Sequence, residues 1–377
     1  MIAPLLLGLP VLAGAQGPAP TEARLLVAAE SADQVYDLAF DGRDLTVREV
    51  VDVGYQATEI EGPHGLTVSP DGRHWFVSIA HGKPNGLLYK YDAATHELLG
   101  EAELGLFPAT MQISQDTGLL YCVNFDLHGD MTPSTVSIVD VEGMVEIEQV
   151  VTGSMPHGSR LSPDGSRHFS CAMMSDELIE LDAVGLEVLR RLELTDGTGR
   201  RKGGGHGEAE GSEEPVRHAA VSKPTWVQPH PTRPLAYVAL NGVHQVLEVD
   251  LEAWRIKRRF PTGRAPYNLE VTPDGARLVV TYKGGQAVGV LDLESGEELA
   301  RIRTSRPIPH GVVVTPDSRF AFVTCEDRGA APGAVDAIDL EALRLVSSVD
   351  VGLQAGGIAL FPPTETPAPA AASTPGR

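Results

Sequence analysis

Residues 62–80 read GPHGLTVSPDGRHWFVSIA: a short apolar strand, a four-residue turn and a second apolar strand. In Ser69-Pro70-Asp71-Gly72, proline presets φ at the first corner of a type I turn and glycine closes it. Leu66 and Val68 precede the turn, and Trp75, Phe76 and Val77 follow it, so the stretch is a β-hairpin. A lone hairpin cannot bury its own apolar face. The chain has to supply partners, and it does so by repetition.

The turn recurs at Ser114-Gln115-Asp116-Thr117, Ser162-Pro163-Asp164-Gly165, Thr272-Pro273-Asp274-Gly275 and Thr315-Pro316-Asp317-Ser318, with degenerate copies at Pro229-His230-Pro231-Thr232 and near Phe361-Pro362-Pro363. The steps are 45, 48, 68, 42, 43 and about 46 residues, and an insertion accounts for the 68. Each hairpin is followed by an alternating strand ending in aspartate: LYKYD (88–92), VSIVD (136–140), LIELD (178–182), VLEVD (246–250), VGVLD (288–292) and VDAID (335–339). YDLAFD (36–41) is a weaker first copy, and a further alternating run follows each. Four strands per repeat at this period predict a β-propeller, all-β, with seven four-stranded antiparallel blades. The first blade lacks an N-terminal inner strand, because the chain opens with LLVAAE at 25–30. GGIALF at 356–361 is expected to fill the gap, closing the ring and removing an exposed edge.

The pattern resembles the YVTN-type β-propeller repeat over roughly 24–361. The resemblance implies the fold and leaves the activity open, since similar propellers include lactonase-type enzymes, the copper-binding propeller of nitrous oxide reductase, the haem-binding propeller of periplasmic nitrite reductase and surface-layer proteins. It also implies that Pro-His-Gly triplets can be part of the repeat itself.

Composition narrows the classes. A net charge of −21 argues against nucleic acid, whose phosphates demand a basic footprint, and suits solubility. MIAPLLLGLPVLAGAQG resembles a secretory signal peptide over 1–15, with an Ala13-Gly14-Ala15 cleavage pattern and no basic n-region. Its apolar run is too short to span a bilayer as a helix. The expectation is an exported protein, periplasmic or extracellular, with no membrane span. Residues 16–23 read as a leader, 24–361 as the propeller and 362–377 as a disordered Pro/Ala/Thr tail. Residues 195–223, glycine-rich and charged, read as a flexible insertion between blades four and five. Cys122, Cys171 and Cys325 are odd in number and scattered, so they are read as buried strand residues. A closed ring makes monomer the default.

The starts of the inner strands align as Pro63-His64-Gly65, Pro108-Ala109-Thr110, Pro156-His157-Gly158, Pro224-Thr225-Trp226, Pro266-Tyr267-Asn268, Pro309-His310-Gly311 and Gln354-Ala355-Gly356. The second residue of each should project toward the channel mouth. His64, His157 and His310 then stand in blades two, four and seven. Converging imidazoles are what a copper or zinc site uses, provided their nitrogens approach to about 3–4 Å. The ends of the second strands reach the same face, bringing His81, His128 with Met131, Met174, His244, Lys283 and Glu326 as candidate ligand-binding residues. His206 and His218 of the insertion could add ligands, whereas His74, His96 and His168 are read as structural.

No CxxCH occurs, so covalent haem is excluded, and no HExxH, GxSxG or P-loop appears. Two readings follow. One is an exported binding protein whose mouth holds a small ligand, a metal or a protein partner. The other is a metal-dependent enzyme, a copper oxidoreductase or lactonase-like hydrolase, with the ion on His64, His157 and His310 and proton transfer by His128, Glu326 or Asp327. A structural envelope protein is a third possibility.

Overall fold

The computed structural model describes residues 21–56, 58–81, 85–195 and 220–363. The signal-like segment, most of the insertion with His206 and His218, and the tail from residue 364 lie outside the described residues.

Seven four-stranded antiparallel sheets form a propeller. The inner strands are Pro63–Val68, Pro108–Ile113, Pro156–Leu161, Pro224–Pro229, Pro266–Val271, Ile308–Val314 and Ala355–Leu360. The last pairs antiparallel with Ala23–Ala29, so blade one is built from both ends of the described chain, as expected. Among the described residues no helix is long and apolar enough to cross a membrane.

Two devices recur in the turns, the first of them in four blades. In the hairpin turn the hydroxyl donates to the aspartate two residues on: Ser69 to Asp71 at 2.6 Å, Ser162 to Asp164 at 2.5 Å, Thr272 to Asp274 and Thr315 to Asp317 at 2.6 Å. In blade five an imidazole replaces both partners: His230 Nδ1 accepts from the Thr232 and Arg233 amides at 3.1 and 3.0 Å. The strand-ending aspartates cap the other hairpin. Asp182 Oδ1, for example, accepts from the Val184 and Gly185 amides at 2.9 Å. These carboxylates belong to the scaffold.

The core is divided rather than central. Seven apolar clusters lie one in each interface between neighbouring blades. Alternation along a second strand feeds both sides: Trp75 and Val77 pack toward blade one, Phe76 toward blade three. All three cysteines are buried and unpaired in these interfaces or beside them.

Candidate functional site

The backbone prepares the upper mouth of the channel. Before five of the seven triplets stands a residue in the left-handed region, Gly62, Phe107, Met155, Lys223 and Ala265. In blade one Gln354 itself holds that place, so the triplet there is Ala355-Gly356-Gly357, one residue later than the sequence alignment put it. The triplet then leaves the ladder, since sheet register shifts between Pro63 and Leu66, Pro156 and Ser159, Pro266 and Leu269, and Pro309 and Val312. A hydroxyl on the second strand fills the gap. Gly65 donates to Ser78 Oγ at 2.8 Å, and Gly311 donates to Thr324 Oγ1 at 2.8 Å. Thr324 in turn donates to the Gly356 carbonyl of the next blade at 2.7 Å, and Thr281 donates to the His310 carbonyl at 3.0 Å. The second residue of the triplet is thus released from sheet pairing and turned to the axis. The glycine after histidine has a separate cause. A Cβ on Gly65 would stand 1.8 Å from the Ala109 carbonyl oxygen, and one on Gly158 2.4 Å from that of Thr225.

The three triplet histidines do meet. The His64 ring lies 6.4 Å from His157 and 6.1 Å from His310, near perpendicular to both. Their nitrogens, however, turn to other partners. His64 Nδ1 is 2.9 Å from Glu30 Oε2. His157 Nδ1 donates to the Thr225 carbonyl at 3.0 Å, which leaves Nε2 to accept from the Tyr267 hydroxyl at 2.7 Å. His157 therefore has no nitrogen to offer an ion without breaking one of these bonds. Among the described residues no group of three or more His, Cys, Asp or Glu has metal-holding geometry.

Around this trio the mouth divides into two walls. One is aromatic: His81 stacks on His128 at 5.9 Å, and Phe107 stands edge-on to His64, His81 and His128. The other is ionic. Lys283 Nζ is 3.1 Å from Glu326 Oε1 and 4.2 Å above the Tyr267 ring, and His310 Nε2 is 3.8 Å from Glu326. Below the trio lies an internal cavity of about 50 Å³, lined by His64, His157, His310, Arg160, Trp226 and Asn268 among others.

The charges are coupled. Burial opposes ionisation of Glu30, but the His64 imidazole and hydrogen bonds from His64 and His81 outweigh it and hold the carboxyl well below the usual carboxylate range. Burial pushes His157 down to about 3, assisted by His64. Burial and the Lys283 ammonium hold His310 well below its ordinary value. Burial pulls Lys283 down, but Tyr267 and Glu326 prevail and raise it. The mouth thus combines two neutral imidazoles, a carboxylate and a firmly charged ammonium.

Of the residues singled out from sequence, His64, His157, His310, His81, His128, Lys283 and Glu326 share this mouth. The others serve locally. His244 is exposed, and its Nδ1 accepts from the Ala265 amide at 3.1 Å. Met131 is exposed, and its carbonyl accepts from Ser154 at 2.8 Å. Met174 packs against the apolar cluster between blades three and four. His96 is structural, accepting from Trp75 Nε1 at 3.1 Å, and His168 is buried against Tyr121. Two participants escaped the sequence reading. Tyr267 is the second residue of its triplet and stood in plain alignment with the histidines. Glu30 follows blade one's second strand at the position that Lys283 and Glu326 hold in theirs, one residue before that of His81.

No family model matches the chain, and no curated protein matches it. Solved structures do. The chain is similar to Kuenenia stuttgartiensis hydrazine synthase, with 21% identity over 83% of this chain and 93% of that one, at a TM-score of 0.63. It is similar to the periplasmic gluconolactonase of Pseudomonas aeruginosa, with 17% identity, 91% and 99% coverage and a TM-score of 0.69. A Bacteroides fragilis protein proposed to be a 6-phosphogluconolactonase aligns with 14% identity, 92% and 100% coverage and a TM-score of 0.66. These likenesses establish the seven-bladed propeller.

Proposed function

We propose that the upper mouth binds a small carbonyl compound and hydrolyses it as a lactonase does, in an exported protein built from YVTN-type repeats. The observation that carries the reading is the Glu30–His64 pair at 2.9 Å. A carboxylate on Nδ1 orients the imidazole ring and leaves Nε2 as the base. His64 takes a proton from water as the oxygen attacks the acyl carbon. Lys283, whose charge reaches His157, His310 and Glu30, stabilises the oxyanion. The ring C–O bond breaks, and the leaving alkoxide recovers the proton from His64, so lactone and water become hydroxy acid. Two of the structural neighbours carry lactonase names, which agrees with this reading.

Proton release from glucono-1,5-lactone and γ-butyrolactone tests it. Wild-type protein should exceed spontaneous hydrolysis for one of them, and His64→Ala should lose about 100-fold or more in kcat/KM. Chelation should leave the rate unchanged. A chelator-sensitive rate restored by zinc or copper would transfer the chemistry to the metal reading.

The second reading is a non-hydrolytic site for a small ligand, a metal or a protein partner. His157 favours its small-ligand form, because both its nitrogens are committed and it forms a fixed wall. Ligands that raise the melting temperature without turnover would decide for it.

A further inference from the structure

The channel has a second opening at the opposite end, and its floor is built. The fifth residue of each inner strand, counted from the triplet's first position, forms a lower tier. Five adjacent blades supply hydrogen-bonding side chains there: Thr67, Gln112, Arg160, Gln228 and Glu270. Blades seven and one supply Val313 and Ala359. Thr67, Gln112, Gln228 and Glu270 line a funnel of about 610 Å³ whose rim carries prolines from six blades. That volume is in the range of small-molecule sites.

The tier is held in place and incompletely paired. Gln112 Oε1 accepts from the Leu161 amide at 2.8 Å. Arg160 lies 4.7 Å over the Trp226 ring and 3.9 Å from Glu270 Oε2, and donates to the Ser159 carbonyl at 2.9 Å. Gln228 Oε1 is buried without a partner, and so are Asn268 Oδ1 and Trp226 Nε1 in the cavity above. Unpaired buried polar atoms are costly, so these groups await hydrogen bonds from something that enters. Donor and acceptor side chains share one arc, and Leu360, Phe361 and Pro362 make blade one's share of the lining apolar. The funnel's acidic groups are Asp116 and Asp164 at the rim and Glu270 deeper in, which burial raises to about 7, and no Lys or Arg lines it among the described residues.

We infer that this funnel binds a neutral polyhydroxylated ring, a free mono- or disaccharide or a cyclitol, independently of the chemistry at the upper mouth. Hydroxyls both donate and accept, which matches the mixed arc, and the C–H face of such a ring matches Leu360, Phe361 and the prolines that line the funnel. A carboxylated sugar is disfavoured by the acidic rim.

Titration of the full chain with D-glucose, myo-inositol and D-gluconate, followed by tryptophan fluorescence and saturation-transfer NMR, tests this. At least one neutral polyol should bind saturably, and gluconate several-fold more weakly. Gln228→Leu and Thr67→Val should each weaken binding about tenfold, with melting temperatures confirming that both fold. His64→Ala should leave polyol binding unchanged. The inference fails if neither neutral polyol saturates, if gluconate binds more tightly than glucose, or if His64→Ala abolishes binding that Gln228→Leu preserves.

Discussion

Glu30 sits where blade one's second strand runs out, and its side chain reaches into blade two for His64 and His81. Replacing it with glutamine keeps the shape and removes the charge that orients His64. The expected cost is about 10- to 100-fold in kcat/KM for lactone hydrolysis, with little change in KM. Acid stability gives a second prediction. His157 and His168 are both pushed down to about 3, mainly by burial. The unfolded imidazoles bind protons from about pH 6.5 downward, whereas the folded ones stay neutral until about 3. Their contribution is therefore complete above about 6.5 and drains away as pH falls through that interval, by about 1.4 kcal/mol per pH unit per group. Urea unfolding at pH 7.5 and 5 should show a smaller loss in His157→Gln than in wild type; an equal loss would mean that His157 is charged in the folded protein. At this scale the sequence was only partly readable. Alignment of the triplets brought out three histidines, but the commitments of His157 come from the Thr225 backbone and a tyrosine on blade six, and no local pattern announces either. Glu30 was hidden because blade one begins at its second strand, so the position was never counted against its equivalents.

Elements are where sequence and structure agree most closely, because turn chemistry is local. Proline, aspartate and glycine declare a hairpin within four residues, and a strand-ending aspartate declares the next one. The purpose of the glycine in Pro-His-Gly could not be read this way, since the atom it avoids belongs to the neighbouring blade. Gly65→Ala would force the Ala109 carbonyl aside at an interface with no slack. It should cost about 1–3 kcal/mol, seen as a lower urea midpoint with an unchanged slope. Asp182→Ala removes the acceptor for two turn amides and should cost about 1 kcal/mol. A loss as large as that of Gly65→Ala would show that the hairpin carries more than local order.

For the whole molecule, the blade count and the closing strand were legible because the period was regular and one strand was missing from the first repeat. The location of open space was not: channel volume depends on which side chains fill each tier, and a funnel of about 610 Å³ lies opposite the histidines. A chain ending at residue 354 would leave blade one without its inner strand and expose an edge on Ala23–Ala29. It should elute as aggregate on gel filtration, and a monomer of native stability would show that closure is dispensable.

That same sharing of one sheet by both ends governs how the protein is made. A ribosome releasing this chain from its N-terminus can let each later blade pair its own strands as it emerges. The first sheet has to wait for Ala355–Leu360, which follows the strands of all six other blades in the chain. Premature termination anywhere upstream therefore yields a product with an unpaired border in its first sheet, readily recognised by proteases.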